Sequence, residues 1–206
     1  MKLKKKKGKN DFSLELRRQL AHAMGIFAVP VILYFGKFWS LLLLAAIAIF
    51  FFILAAYKLE KIRRKKIFLL EEFSAIENFF EEKIYKKFER KESFPMKGAI
   101  LFYFGSFLTL LIFSEQIAAA GIAVLAIGDS VSTLIGKKFG RHKISGNKTL
   151  EGSLGFFVSA FAVLLFFVSP ERAAFAALAS ALAEAFLKID DNISVPISAA
   201  IALAVF

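Results

Sequence analysis

Acidic side chains interrupt this sequence where its apolar runs give little reason for them. Asp129 follows the stretch 117–127 in Gly128-Asp129-Ser130-Val131-Ser132-Thr133, and Glu184 lies within the apolar run 173–188. Ionisable groups inside membrane-length apolar segments are costly and belong in protein-lined cavities, so each is a functional candidate. Asp129 lies 13 residues in from Gln116, about 20 Å along a helix at 1.5 Å per residue. Glu184 lies equally far from Glu171. Glu184, Lys188 and Asp191 stand at i, i+4, i+7, the spacing of one helical face, and Glu15, Arg18 and His22 share another. Taken singly, Glu184–Lys188 is an ordinary ion pair and Asp129 a helix–helix hydrogen bond. Several carboxylates at one depth point instead to a metal site opening inward.

Residues 128–155 read GDSVSTLIGKKFGRHKISGNKTLEGSLG and hold six of the twelve glycines. Glycine admits positive φ and close backbone approach, so this segment can wrap a ligand with its N–H groups. Lys137, Lys138, Arg141, His142, Lys143 and Lys148 supply positive charge for an anion. Thr149 is placed to cap the next helix, with Glu151 in its first turn, and backbone N–H groups at a helix start suit a phosphate. The segment is not a P-loop. Gly140 and Gly146 are one residue too far apart, Asn147 stands where lysine is required, and no strand is expected before them.

Assembled, these strings resemble the signature of the CTP-dependent lipid kinases, multi-span membrane enzymes that include dolichol kinase, phytol kinase and the yeast-type diacylglycerol kinase. The central resemblance runs through Gly128-Asp129, Gly136-Lys137-Lys138-Phe139-Gly140 and Asn147-Lys148-Thr149-Leu150-Glu151-Gly152-Ser153. Two flanking stretches join it: Glu15-Leu16-Arg17-Arg18-Gln19-Leu20-Ala21-His22, and Glu184 followed by Asp190-Asp191-Asn192-Ile193-Ser194-Val195-Pro196. It covers most of the chain from residue 13.

The resemblance implies a phosphotransferase with an alcohol acceptor, moving the γ-phosphoryl group of CTP to the hydroxyl of a membrane lipid alcohol. It implies Mg²⁺ held by Asp129, Asp191 and Glu184, since hard oxygen ligands suit that ion. Lys148, Arg141, Lys137 and the backbone at Gly128, Gly140 and Gly152 would hold the triphosphate, with Asn147 and Thr149 orienting it. Arg18 and His22 would meet the phosphates from the first helix, and Glu151 or Glu184 would take the alcohol proton. The central loop is also distantly similar to phosphatidate cytidylyltransferases, whose C-terminal arginine-rich signature is absent here. A cytidylyltransferase forming a CDP-lipid is therefore the second reading. A small proton-coupled transporter using Asp129 or Glu184 as a relay is the third, and no inverted repeat supports it.

The elements that must position these groups are membrane helices. Of 206 residues 58% are hydrophobic and 22% charged, with a formal net charge of +11. Apolar stretches fall at about 19–36, 38–57, 98–113, 116–136, 152–168, 173–188 and 193–206, each near the length of roughly 20 residues that a spanning helix needs. They lack the alternation of barrel strands. The expected fold is all-α, a polytopic bundle of about seven transmembrane helices, with 193–206 the least secure.

Its divisions are a basic cytoplasmic N-terminus over 1–16 and a single membrane-embedded domain over 17–206. The latter includes an amphipathic cytoplasmic segment, 58–96, and a nucleotide-binding loop, 137–150. With the N-terminus inside, 26 of the 28 Lys and Arg fall on the inner side, leaving Lys37 and Arg172 outside. The site then faces the cytoplasm of a cell membrane, of a prokaryote in this reading.

Orientation and attraction to anionic headgroups account for the basic charge without nucleic acid. Seven spans leave too little chain for a separate soluble catalytic domain. The absence of cysteine excludes thiol nucleophiles and Cys-based zinc sites. No small-residue cleavage site follows the lysine run, which argues against a removed signal peptide. Leu69, Phe73, Ile76, Phe80, Ile84 and Phe88 form one apolar stripe suited to the membrane surface. Two Gln and four Asn beside abundant Lys, Glu and Ile lean towards a thermophile. That setting, if archaeal, favours isoprenoid alcohols as acceptors. Nothing in the sequence indicates oligomeric state.

Overall fold

The computed structural model describes residues 2–63 and 96–206, with side chains over 12–59 and 96–206. The stripe from Leu69 to Phe88 lies outside the described residues. Helix α1 (Lys2–Ala23) passes through one 3-10 turn, Met24–Phe27, into α2 (Ala28–Arg63). Helix thus already begins within the basic stretch expected to precede the fold.

Gly36 breaks α2 with φ 78°, a backbone conformation that glycine adopts without steric cost. The chain folds back there. Ser40 Oγ donates to the Val31 carbonyl at 3.4 Å, whereas nine residues of unbroken helix would separate them by about 14 Å. The apolar stretches expected at 19–36 and 38–57 are the arms of this hairpin. At its tip the Lys37 backbone N–H donates to Glu115 Oε1 at 2.6 Å and its ammonium to the Phe113 carbonyl at 2.9 Å. The hairpin is thereby pinned to the turn between α3 (Lys97–Ile112) and α4 (Glu115–Val124).

Helix α4 continues through a single π turn, Leu125–Asp129, into α5 (Ser130–Phe139). A small antiparallel ribbon follows, β1 (Lys143–Ser145) with β2 (Lys148–Thr149). Then come α6 (Leu150–Leu164), α7 (Pro170–Phe186) and α8 (Asp191–Val205). The all-α expectation stands with this one addition. Strand β1 lies between Gly140 and Gly146, and what precedes Gly140 is helix α5, so the strand that a P-loop requires before its first glycine is not there.

Helix α4 is the centre of the bundle. Every residue from Ala118 to Val124 is buried, and α2, α3, α6 and α8 pack around it. A helix apolar on all sides belongs in a core. Helix α8 crosses α3 closely for a reason set by two residues. Pro196 has no N–H to donate to the Asn192 carbonyl four positions earlier, and that carbonyl faces Gly105. A Cβ at Gly105 would stand 2.0 Å from it.

Two helical stretches among the described residues, Phe12–Leu59 and Glu115–Phe139, are long and apolar enough to cross a membrane. The first of these is the folded hairpin. Helices α3, α6 and α8 have 16, 15 and 15 residues, which is short of a hydrocarbon core about 30 Å thick at 1.5 Å per residue. Trp39, Phe52 and Ile53 on the second arm, with Leu154 and Val158 on α6, turn outward and exposed. Long apolar helices with apolar outer faces mark a membrane protein.

Candidate active site

The π turn ends on Asp129. Ser130 Oγ donates to the Ala126 carbonyl at 2.7 Å and to the Gln19 carbonyl at 3.1 Å, which ties α1 to the turn. Single π turns inside α-helices recur at functional sites because the extra residue re-aims a side chain. His22 reaches the same carboxylate, its Nε2 3.5 Å from Asp129 Oδ2, and packs edge-on against Phe102.

Glu184 and Asp191 arrive from different helices. Their spacing with Lys188 reads as one helical face, but α7 ends at Phe186. Asp190 caps a new helix, its Oδ1 accepting from the Asn192 N–H at 3.3 Å. Asp191 therefore enters at the start of α8, and the ammonium that meets Glu184 is Lys148, not Lys188. Asp129, Glu184 and Asp191 each bring one carboxylate oxygen within 4.8 Å of the others. Lys148 Nζ lies 2.5 Å from Glu184 Oε1 and 2.6 Å from Asp191 Oδ2. Burial alone would lower the Lys148 pKa, but the facing Asp191 and Glu184 hold it above its usual value. Glu184 is nearly inaccessible and takes two further hydrogen bonds, from Ser132 Oγ at 3.0 Å and Ser153 Oγ at 3.3 Å.

These groups open into a cavity of about 910 Å³. Arg18, Lys137, Asn147, Lys148, Thr149 and Gly152 are among the expected residues that line it. Lys137 is ion-paired with buried Glu15, which also accepts from Gln19 Nε2 at 2.9 Å. Thr149 caps α6 as its position suggests, Oγ1 accepting from the Gly152 N–H at 3.2 Å.

Other expected site residues stand outside the cavity lining. The Glu151 carboxylate accepts from the backbone N–H of Arg141 at 3.1 Å and of His142 at 3.3 Å, and meets His142 Nδ1 at 2.7 Å. Hydrogen bonds from its own backbone N–H, from the His142 ring and from these two amides hold its pKa down to about 2. Glu151 thus braces the start of the ribbon, and Arg141, just before it, is exposed and outside the cavity lining. The glycines serve close packing. A Cβ at Gly128 would stand 3.0 Å from the Phe156 ring, one at Gly140 2.2 Å from the Gly136 carbonyl, and one at Gly152 3.1 Å from the Ser132 carbonyl. Only Gly146 in this loop takes positive φ, 53°, at the ribbon turn.

An uncharacterized protein of Rickettsia prowazekii is 28% identical over 208 residues, covering 95% of this chain and 96% of that protein. The dolichol kinase of Schizosaccharomyces pombe is 38% identical over 85 residues, 37% of this chain and 17% of the kinase. The CTP-dependent diacylglycerol kinase 1 of the same yeast is 38% identical over 63 residues, 30% of this chain and 29% of that kinase. The chain is related to the CTP-dependent lipid kinases. It spans less than a third of the length of either yeast kinase. No family model and no solved structure matches it.

In this relative of the CTP-dependent lipid kinases, several cavity residues escape a reading by sequence. Gln19, Lys97 and Asp190 line the cavity, with Lys97 Nζ 3.3 Å from Asp190 Oδ2. Glu15 is legible only as part of a shared face, and its partner Lys137 lies on another helix. A buried acid one turn before Arg18 was the available signal.

Proposed function

We propose that the chain is a CTP-dependent kinase that phosphorylates a membrane-dissolved lipid alcohol, with a polyprenol-type alcohol as the acceptor. The observation that supports this most is the meeting of Lys148 with Asp129, Glu184 and Asp191 at one cavity. Phosphoryl transfer asks a protein chiefly for positioning and for neutralisation of charge. A ring of carboxylates with cations beside it supplies both. The names of the two yeast kinases supply the donor and the acceptor class.

The donor set fits a divalent cation. Octahedral Mg²⁺ takes oxygens at about 2.1 Å, and oxygens already within 4.8 Å of each other need only small side-chain rotations to meet it. Asp129, Glu184 and Asp191 would hold the ion, which when bound supplies neutralising charge to phosphate oxygens. Lys148, Lys137 and Arg18 then grip the triphosphate, while Asn147 and the capped start of α6 orient it. Glu184 lines the cavity and Glu151 does not, so Glu184 is the better placed to take the alcohol proton.

In this reading the seven apolar rods are embedded in the membrane as one domain over 17–206, the bilayer thinning around the short α3, α6 and α8, with the N-terminus and the cavity at the cytoplasmic face. Lys37 and Arg172 lie at the opposite end.

The test is incubation of the purified chain with Mg²⁺, a panel of lipid alcohols and their phosphate monoesters, and CTP labelled in either the γ-phosphate or the cytidine. γ-Label on the lipid with CDP released supports the kinase. Cytidine label on the lipid with pyrophosphate released makes it a cytidylyltransferase, and label on neither overturns both.

A further inference from the structure

The Lys148 ammonium occupies the ground that the proposed metal site needs. It bridges Glu184 Oε1 and Asp191 Oδ2, and so bonds two of the three carboxylates drawn together there. Three carboxylates in a partly buried cluster repel one another, and a single ammonium bonded to two of them relieves that repulsion. A divalent ion at about 2.1 Å from oxygens of the same carboxylates would stand within a few ångströms of the ammonium, and the two cations would repel each other there. Lys148 has somewhere else to go. It sits on β2 beside the Gly146 turn, its side chain is 31% accessible, and Asn147 and Thr149 on either side of it line the same cavity.

We propose that Lys148 is an internal counter-ion that plugs the carboxylate cluster until metal and nucleotide arrive. This rests on the reading of the three acids as a metal site. Metal entering the cluster expels the ammonium, and the triphosphate gives it a new anionic partner. Metal and CTP then assist each other's binding, because the metal frees the lysine that the phosphates require. By linkage the assistance is equal in both directions. A lysine that served the phosphates alone would leave the metal's intrinsic affinity untouched. A plug weakens it.

The experiment is Mn²⁺ binding to the purified full chain, followed by electron paramagnetic resonance, with and without CTP. In the wild-type chain CTP should tighten Mn²⁺ by about tenfold, within the usual range of coupling between sites. Lys148→Met should bind Mn²⁺ about tenfold more tightly than wild type without nucleotide, and CTP should then tighten it by less than in wild type. Lys148→Arg keeps a cation near the acids and should bind Mn²⁺ no more tightly than wild type. Loss of the ammonium leaves the acids uncompensated, so Lys148→Met should melt early and recover when Mn²⁺ is added. If it does not fold without metal, the same comparison is made by its recovery, and failure of Mn²⁺ to restore it overturns the proposal. Unchanged or weaker Mn²⁺ binding by Lys148→Met overturns it, as does absence of Mn²⁺ binding in both chains. Phosphate transfer is read separately with labelled CTP. A chain that binds Mn²⁺ as expected but transfers nothing retains the plug and loses the kinase.

Discussion

Ser132 Oγ donates to Glu184 Oε1 at 3.0 Å across 52 positions of sequence. The bond joins α5 to α7 at the most buried acid of the site, and Ser153 approaches the same carboxylate from α6. Three helices thus fix one side chain before any ligand is present. Such outer contacts set the geometry of a ligand set as firmly as the ligands themselves.

Ser132→Ala should therefore keep the fold and damage the site. Loss of a hydrogen bond to a buried charge costs about 1.5–3 kcal/mol. The Mg²⁺ needed for half-maximal transfer should rise by roughly 10–100-fold. A thermal melt and a Mg²⁺ titration of γ-phosphate transfer check both, and an unchanged Mg²⁺ requirement would remove Ser132 from the site.

Asp129→Asn should abolish transfer to lipid while the protein still inserts and elutes as a single species. Asparagine keeps the shape of the side chain at the end of the π turn but lacks the charge that a divalent ion requires. Retained full activity with labelled CTP would sink the assignment.

Gly105→Ala tests the crossing of α3 and α8. The new Cβ would lie 2.0 Å from the Asn192 carbonyl, and this contact is backbone against backbone, with no flexible side chain to yield. Overpacking of this kind costs about 1–3 kcal/mol or more. Because Asp191 precedes Asn192, the mutation should also weaken Mn²⁺ binding. A wild-type melting temperature would show that α8 can slide.

Glu151, in the first turn of α6 and outside the apolar stretch 152–168, gives a pH signature. Its native pKa is held down to about 2, against an ordinary glutamate value of about 4.3. A depressed carboxylate pKa means stability that is complete above the ordinary value and is lost as pH falls through the native one. The ribbon amides of Arg141 and His142 should therefore remain protected from exchange at pH 4 and lose protection towards pH 2. Carbon-13 NMR of labelled glutamate reads the midpoint directly, and a Glu151 titration near 4.3 would contradict the bracing.

Much of the site was legible from residue type and depth. An acid 13 residues into each of two apolar runs marks a similar level when the two helices tilt alike, which is why Asp129 and Glu184 can be paired from sequence. Thr149 was legible because capping is local. What escaped was whatever depends on where a helix stops. Glu184 and Asp191 satisfy i, i+7 spacing yet belong to two helices, since periodicity cannot see the cap at Asp190. Lys148 was legible as a cation for phosphate, but its carboxylate partners come from α7 and the start of α8, and their approach is set by packing. The glycines of the loop read as ligand-wrapping backbone because glycine's freedom is intrinsic. Their close contacts with Phe156, Thr149 and the neighbouring backbone exist only in the folded bundle.

The π turn leaves the rod from Glu115 to Phe139 one residue longer than a plain α-helix over the same distance. That surplus separates two demands on a single helix. The outer half packs against α2 and α8 and the inner half against α1 and α6, and the bulge absorbs the extra residue between them. A chain trimmed by one residue between Leu125 and Gly128 could close the bulge without moving either half, and would lose only the aim of the acid at its end.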